Sequence, residues 1–442
     1  MEQVDSLGTK QKFKKTEIGK IPVDWEILTL DNISEEIYSY PTYYDIKYVK
    51  EGIPEVSGEL IKPNGALERD LSKYRFISPA TASKFPRACL EEGDFVISVR
   101  GTMGKVGIVP EFLDGANMTA NLIRISPKSD KVFPRFLHQL FISDKFQDIL
   151  KITSSSTTIK TIKAPELKKL KFAIPPIHEQ KKIAEILLTV DEAIERNAAV
   201  IEKTKQLKKG LMQELLAHGI GHKKFKKTEI CEIPIDWEVV KLSSLAIANK
   251  NAFVAGPFGS NLKLKDYVKS GVPVLQGKNI TSDRLDWFDI RYVSKEKAEE
   301  LSRSLVKVGD ILITKIRTVG CSAVVDNLKG HEVALIPANL MKISLDEKKV
   351  DINYFHQWLI WSKTKKRIID IASQTAQPAL SLKTMKLFKV LLPPLPEQKK
   401  LAEILSSIDE KIEKEIANKE KLANIKKGLM QVLLTGKIRV KV

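Results

Sequence analysis

KFKKTEIGKIPVDWE, residues 12–26, returns at residues 224–238 as KFKKTEICEIPIDWE, identical at 12 of 15 positions. A second pair follows at a similar displacement, IPPIHEQKKIAEILLTV (174–190) and LPPLPEQKKLAEILSSI (392–408), and KKGLMQ stands at both 208–213 and 426–431. One design is written twice. Solenoid units run to roughly 20–50 residues because each is a single supersecondary element, so a repeat this long makes each copy a domain-sized structure. Between the matched ends the interiors, 34–155 and 246–373, diverge and keep only thin correspondences. Gly52-Ile53-Pro54 aligns with Gly271-Val272-Pro273, and Gly93-Asp94-Phe95-Val96-Ile97 with Gly309-Asp310-Ile311-Leu312-Ile313. One scaffold carrying two surfaces suits a molecule that reads two unlike things at a fixed separation.

The segments 179–216 and 397–434 read as long helices. Ile183, Leu187, Val190 and Ile194 step by 4, 3 and 4, as do Leu401, Leu405, Ile408 and Ile412, the period of a packed seam. Pro175-Pro176 and Pro393-Pro394 mark the starts, and Gly219 and Gly436 fit the stops. Each helix spans about 57 Å at 1.5 Å per residue and exposes too wide an apolar stripe to stand alone. The two are expected to pair antiparallel about a pseudo-twofold axis as a ruler, with Asn197, Thr204, Glu415 and Lys419 either pinning the register or facing solvent. The run HGIGHKKFKKTEI (218–230) continues the first helix into the second copy, whereas the second helix is followed only by TGKIRVKV (435–442). The N-terminal segment is therefore expected to lie beside the C-terminal tail.

The chain carries 73 Lys and Arg against 55 Asp and Glu, a net charge of +18. The two helical segments hold seven acids against seven bases and seven against eight, so nearly all the excess belongs to the interiors and linkers. Excess lysine is also what a solvated surface shows, but a polyanion is the natural partner, since neutralised phosphates release condensed counterions. With 442 residues and 43% hydrophobic content there is material for two or three domains with proper cores. MEQVDSLGTK lacks the apolar run of a signal peptide and no membrane-spanning stretch occurs, which places the expectation in the cytoplasm with no membrane partner. Cys89, Cys231 and Cys321 are too scattered for a zinc site or disulfide framework. His218-x3-His222 has metal-like spacing, but Gly219 and Gly221 break the helical face it needs, so no metal is expected.

The paired PP-x-x-EQKK-x-AEIL helices, the paired IP-x-DWE segments, GPFGSNLK (256–263) and GVPVLQGKNI (271–280) together resemble the specificity (S) subunit of type I restriction–modification enzymes, from about residue 12 to the C-terminus. The resemblance implies a mixed α/β fold: two globular target-recognition domains in a pseudo-twofold repeat, separated by an antiparallel pair of long coiled-coil helices. Its division is 1–175, first recognition domain; 176–222, first spacer helix; 223–391, second recognition domain; 392–442, second spacer helix and tail. It implies a non-catalytic subunit in which each domain reads half of a bipartite, asymmetric double-stranded DNA target. Two modification (methyltransferase) subunits would dock on the helices, with restriction/translocase subunits joining the larger assembly. S-adenosylmethionine, ATP and Mg would be bound by those partners and no cofactor by this chain.

The residues agree with a non-enzyme. An adenine methyltransferase carries an Asn/Asp-Pro-Pro-aromatic motif, whereas the Pro-Pro pairs here sit in IPPI and LPPL. The stretch 271–279 has one residue too many between glycines for a phosphate loop, and Asn279 where Ser or Thr would meet magnesium. A non-catalytic DNA- or RNA-binding scaffold without a restriction partner stays open as the alternative.

Major-groove reading needs Arg or Lys for guanine, Asn or Gln for adenine and apolar contact for the thymine methyl. In the second interior the candidates are Ser260, Asn261, Lys263, Gln276, Lys278, Asn279, Arg317 and Thr318. In the first they are Tyr43, Tyr44, Lys47, Ser57, Lys62, Asn64, Arg100, Thr102 and Lys105, on a stretch that lacks the GPFGS motif. The polar runs 154–158 and 373–377 are candidate phosphate contacts, and Asn121 and Asn339, in apolar TANLIRI and PANLMKI, are expected to be buried and structural. Each candidate can equally be a turn or surface residue. On the helices, Lys181, Lys182, Lys399 and Lys400 are candidate contacts for the methyltransferase subunits.

Overall fold

The computed structural model describes residues 3, 4, 10–39, 46–100, 103–153, 162–281, 283–372 and 379–441. The chain divides into two compact units, Met1–Ala198 with Ala417–Val442, and Ala199–Ile416. Each long helix therefore contributes its two ends to different units.

In both units a fully buried strand organises the interior. Phe95–Ser98 (FVIS) lies between Val106–Ile108 and Leu122–Pro127 in an antiparallel sheet completed by Ser34–Ser39. Because successive side chains point to opposite faces, Phe95 and Ile97 enter one core with Ile123 and Ile125, while Val96 joins another with Val56 and Leu122. The second unit repeats this with Ile311–Thr314 (ILIT): Ile311 and Ile313 face one core and Leu312 the other. A buried strand of this kind reads as a continuous apolar run because neither face meets water. Flanking sheets of four and five strands complete the units, each containing one parallel pairing, 117–118 on 53–56 and Val274 with Leu335.

The repeated sequence ends build repeated closures. Glu26–Thr29, entering the first interior, pairs with Lys171–Ile174, leaving it; Glu238–Lys241 pairs likewise with Lys389–Leu392. Each leaving strand runs through Pro-Pro into a long helix, Ile177–His218 (42 residues) or Leu395–Leu433 (39 residues). The Gln of the EQKK motif anchors the helix start. Gln180 accepts from Phe133 N at 2.7 Å and donates to Pro175 O at 2.8 Å; Gln398 accepts from Asp351 N and donates to Pro393 O, both at 2.8 Å. The preceding Glu takes a buried indole: Trp25 Nε1 donates to Glu179 Oε2 at 3.0 Å and Trp237 Nε1 to Glu397 Oε2 at 2.9 Å. Both helices stop at glycines with φ of +68°, Gly219 and Gly436, the left-handed conformation glycine adopts without a Cβ penalty.

Within each unit the start of one long helix lies along the end of the other, so they run antiparallel. Ile183, Ala184 and Leu187 share a core with Leu433 and Leu434, and Leu401, Ala402 and Leu405 with Met212, Leu216 and Ala217. Half-buried polar links repeat as well. Asp191 accepts from Lys426 at 2.7 Å and Gln139 at 2.9 Å, and Asp409 from Lys208 at 2.7 Å and Gln357 at 2.8 Å. Asn197 and Thr204 are buried, and Thr204 Oγ1 donates to Val200 O at 2.8 Å, whereas Lys419 faces solvent. The expected meeting of N-terminal segment and tail is found in the first unit, where Arg439 bridges Asp24 and Glu179. No helix among the described residues is long and apolar enough to cross a membrane. The three cysteines are free and half-buried.

Candidate nucleic-acid interface

One end of the second unit's buried sheet gathers the reading residues predicted for that unit. The strands Phe253–Ala255 and Ile311–Thr314 both end where Leu340–Ile343 begins, with Ala255 opposite Met341 and Thr314 opposite Leu340. The connections leaving those ends therefore emerge together. Gly256 N donates to Leu340 O at 3.1 Å, Lys315 N to Asn339 O at 2.8 Å, and Gly277 packs so closely on Asn339 that a Cβ there would lie 2.8 Å from Nδ2. Three loops, 256–266, 276–279 and 315–321, thus converge around Asn339, which is half-buried where the sequence reading expects a buried residue.

Ser260, Asn261 and Lys263 are exposed on the first loop, and Arg317 and Thr318 on the third. Arg317 has φ of +68°, a conformation rarely adopted by residues other than glycine, Asn and Asp, and often found at functional sites. Lys278 is half-buried and paired with Asp289, which the ammonium group holds below the usual carboxylate range. Gln276 caps the turn Gly277–Asn279. Asn279 corrects the sequence reading. It is 0% exposed, its Oδ1 accepts from Gln276 N at 2.9 Å, and its Nδ2 donates to Phe288 O at 2.8 Å. Both ends of the amide are engaged in shaping the turn, and full burial keeps its remaining hydrogen and lone pair away from a base.

The first unit builds the equivalent corner. Lys105 Nζ donates to Gly58 O at 3.3 Å, Lys105 N to Ser98 Oγ at 3.0 Å, and Val99 N to Asn121 O at 2.9 Å, bringing Ser57, Arg100 and Lys105 to the same sheet end. Asn121 is half-buried there, like Asn339 in the other unit. Asn64 is drawn elsewhere, donating to Glu195 on the long helix at 3.1 Å, and exposed Lys62 pairs with Glu68 at 3.4 Å. Lys47 is exposed beside the strand Tyr48–Val49. Tyr43, Tyr44, Thr102 and the polar runs 154–158 and 373–377 lie outside the described residues.

Sequence reading missed two features of the second unit's loops. Lys315 follows the buried strand directly, and its burial lowers the ammonium pKa. A cation desolvated in this way gains more from a phosphate than an exposed one does. Phe258, at the tip of the first loop, is 82% exposed. The only available signal for it was the glycine pair flanking Pro257-Phe258.

On the helix starts, Lys181, Lys399 and Lys400 are exposed, and half-buried Lys182 pairs with Glu185 at 2.9 Å. The remote histidine pair is resolved differently from its spacing. His218 meets Glu214 at 3.2 Å, while His222 places Nε2 2.8 Å from Glu397 and Nδ1 3.3 Å from Asp236. His222 thus stands three residues after Gly219, as Arg439 stands three after Gly436, and each bridges the Asp of DWE to the Glu of EQKK.

The family described as type I restriction modification DNA specificity domain matches twice, at residues 22–206 and 234–423. The chain is 34% identical over 446 residues to a putative type I restriction enzyme MjaX specificity subunit of Methanocaldococcus jannaschii, covering 98% of both chains. It is 23% identical to the type I restriction enzyme EcoKI specificity subunit of Escherichia coli K12, over 90% of this chain and 86% of that one. The fold is shared with a chain solved in work on complex assembly and conformational transition of the type I restriction–modification system, at 17% identity, TM-score 0.58 and coverage of 95% and 99%. It is shared also with the S subunit of a type I system from M. genitalium, at 17% identity, TM-score 0.54 and coverage of 96% and 98%.

Proposed function

The chain belongs to the type I restriction–modification DNA specificity family, and from that premise we propose that it reads a bipartite, asymmetric duplex DNA target with one half-site per unit. The observation that carries this reading is the pair of equivalent sheet ends bearing different loops. Ser57, Arg100 and Lys105 stand at one, and Lys263, Gln276, Arg317 and Thr318 at the other. Cations there contact phosphates and guanine edges, amides read adenine, and the frame beneath stays the same. The antiparallel helices fix the gap between half-sites, and their exposed lysines dock two methyltransferase subunits.

In this reading the chain contributes no catalytic group. Modification chemistry, S-adenosylmethionine, ATP and Mg belong to the partner subunits, and the complex works in the cytoplasm. A restriction/translocase subunit completes the assembly that cleaves.

The test is methylation mapping in a host without its own methylation, expressing this chain with a type I methyltransferase subunit and reading modified adenines by single-molecule sequencing. A bipartite asymmetric motif with a fixed gap is expected. A stable complex with no modified motif would leave a nucleic-acid-binding scaffold as the better account. Exchanging 34–155 for the matching region of a relative should change one half-site only; a change in both would refute independent reading.

A further inference from the structure

Phe258 and Leu264, both in the loop 256–266, are the most exposed large apolar side chains among the described residues, at 82% and 80%. A phenyl ring left in water forgoes the free energy its burial would give, and a second exposed apolar side chain on the same short loop makes this more than a singly scattered residue. The backbone here is fixed. Gly256 N donates to Leu340 O at 3.1 Å, and a Cβ on Gly256 would lie 2.1 Å from Pro337 O, so the loop leaves the sheet in tight contact with the neighbouring chain. Pro257 has its own φ fixed by its ring, and Asn261 N closes a turn on Phe258 O at 2.8 Å.

The surroundings identify the occupant. Lys263 and Lys265 are exposed on the same loop, and Arg317 is exposed on a loop converging on it. Exposed cations around these two apolar side chains suit a polyanion that also presents π faces. Nucleic acid is such a partner, and apolar side chains including Phe enter between base steps where the duplex is kinked.

We propose that Phe258 is an aromatic wedge that stacks on a base of the half-site read by the second unit, unstacking it from its neighbour. The inference rests on the DNA-reading function above. It assigns Phe258 as a specificity residue acting through the deformability of the step it opens, since pyrimidine–purine steps unstack most easily.

The test uses the full chain and duplexes carrying the mapped motif, with 2-aminopurine replacing each adenine of the half-site that stays unchanged when 34–155 is exchanged. The wild-type chain should raise 2-aminopurine fluorescence several-fold at one step. Phe258→Ala should abolish that rise and weaken binding by roughly 5- to 150-fold, the range for losing one base–aromatic stack, and Phe258→Trp should restore both. Lys263→Ala and Arg317→Gly, the latter suited to its left-handed backbone, should weaken binding without removing the fluorescence rise. No fluorescence rise in the wild type, or unchanged affinity in Phe258→Ala while the two charge variants bind weakly, would overturn the wedge and leave DNA reading intact. Unchanged affinity in all three variants would instead remove the DNA-reading role of this loop cluster.

Discussion

Arg439 holds both carboxylate oxygens of Asp24, at 2.9 and 2.7 Å, across 415 residues of chain, and turns its remaining donors to the buried Glu179 at 2.6 and 2.7 Å. Its hydrogen bonds hold the Asp24 carboxyl below the usual range, against the opposing pull of burial. Glu179 is 1% exposed, and among the described residues its carboxylate retains only the Trp25 indole once Arg439 is gone. Arg439→Ala should therefore destabilise the first unit by about 2–4 kcal/mol, the cost of stranding a buried charge. Hydrogen exchange through residues 13–26 should accelerate, with exchange in the second unit unchanged.

His222 solves the same problem in the second unit with a shorter side chain, placed between Asp236 and Glu397. Replacing His222 with Ala should cost about 1–2 kcal/mol by leaving Glu397 a donor short. Replacing it with Arg, the first unit's own residue at this place, should retain most of the stability. Urea unfolding of the three proteins checks the order: wild type and His222→Arg above His222→Ala. An equal loss in both variants would show that the site recognises the imidazole shape.

Two half-buried histidines occupy equivalent helices, His138 and His356. Burial lowers the His138 pKa to about 4, with Lys426 adding to the effect and Asp191 opposing it, and burial lowers that of His356 as well. A folded-state pKa below the unfolded value of about 6.5 means the unfolded chain binds more protons in between. Stability is then complete above about pH 6.5 and is lost as pH falls towards 4. His138 alone should cost roughly 2 kcal/mol by pH 5. Urea midpoints at pH 7, 6 and 5 should fall accordingly, and His138→Leu should flatten the decline. An unchanged decline in that variant would assign the acid limb to other groups.

The duplication and the long helices were legible because they are written in identity and period. The Pro-Pro starts, the glycine stops and the Ile183–Leu187 stripe each act locally and leave a local signature. The sheet end that gathers the reading loops was only half legible. Residue type marked Lys263, Arg317 and Lys105, but Asn279 has the same composition signal as a base reader and is spent on its own turn. Asn64 is likewise taken by Glu195, 131 residues away. Which donor is spent inside the fold depends on tertiary neighbours, and no periodicity records them. For the same reason nothing in the sequence marks the EQ of EQKK as buried, although Glu179 and Gln180 are each 1% exposed and tie the helix to Trp25 and Phe133.

With Glu and Gln of the motif occupied internally, its two lysines remain for a partner. Lys181, Lys399 and Lys400 are exposed, and Lys182 forms a surface pair with Glu185 of the kind worth only a few tenths of a kcal/mol. Reversing all four to Glu should leave the fold intact, as judged by the thermal midpoint, and abolish co-purification with a methyltransferase subunit at 150 mM salt. Unchanged co-purification would move the docking surface elsewhere on the helices.

The arrangement around Gly436 predicts a circular permutant. Gly436 packs on Pro22, with a Cβ there only 2.6 Å from the proline ring, and Arg439 reaches Asp24, so the tail already lies beside the first copy's entering segment. In the second unit the same junction is covalent, running from Gly219 through Gly221 to Asp236. Gly221 is exposed, with φ of +73° and no atom within 4 Å of a would-be Cβ. Linking the C-terminus to residue 12 and opening the chain at Gly221 moves the break from one unit to the other while keeping every packed contact described above. The permutant should fold, with Arg439 and His222 exchanging the covalent and non-covalent roles, and should direct methylation to the same bipartite motif. A soluble permutant that binds neither DNA nor methyltransferase would show that chain continuity at Gly221, and not the packing of the two ends, holds the second unit in its working form.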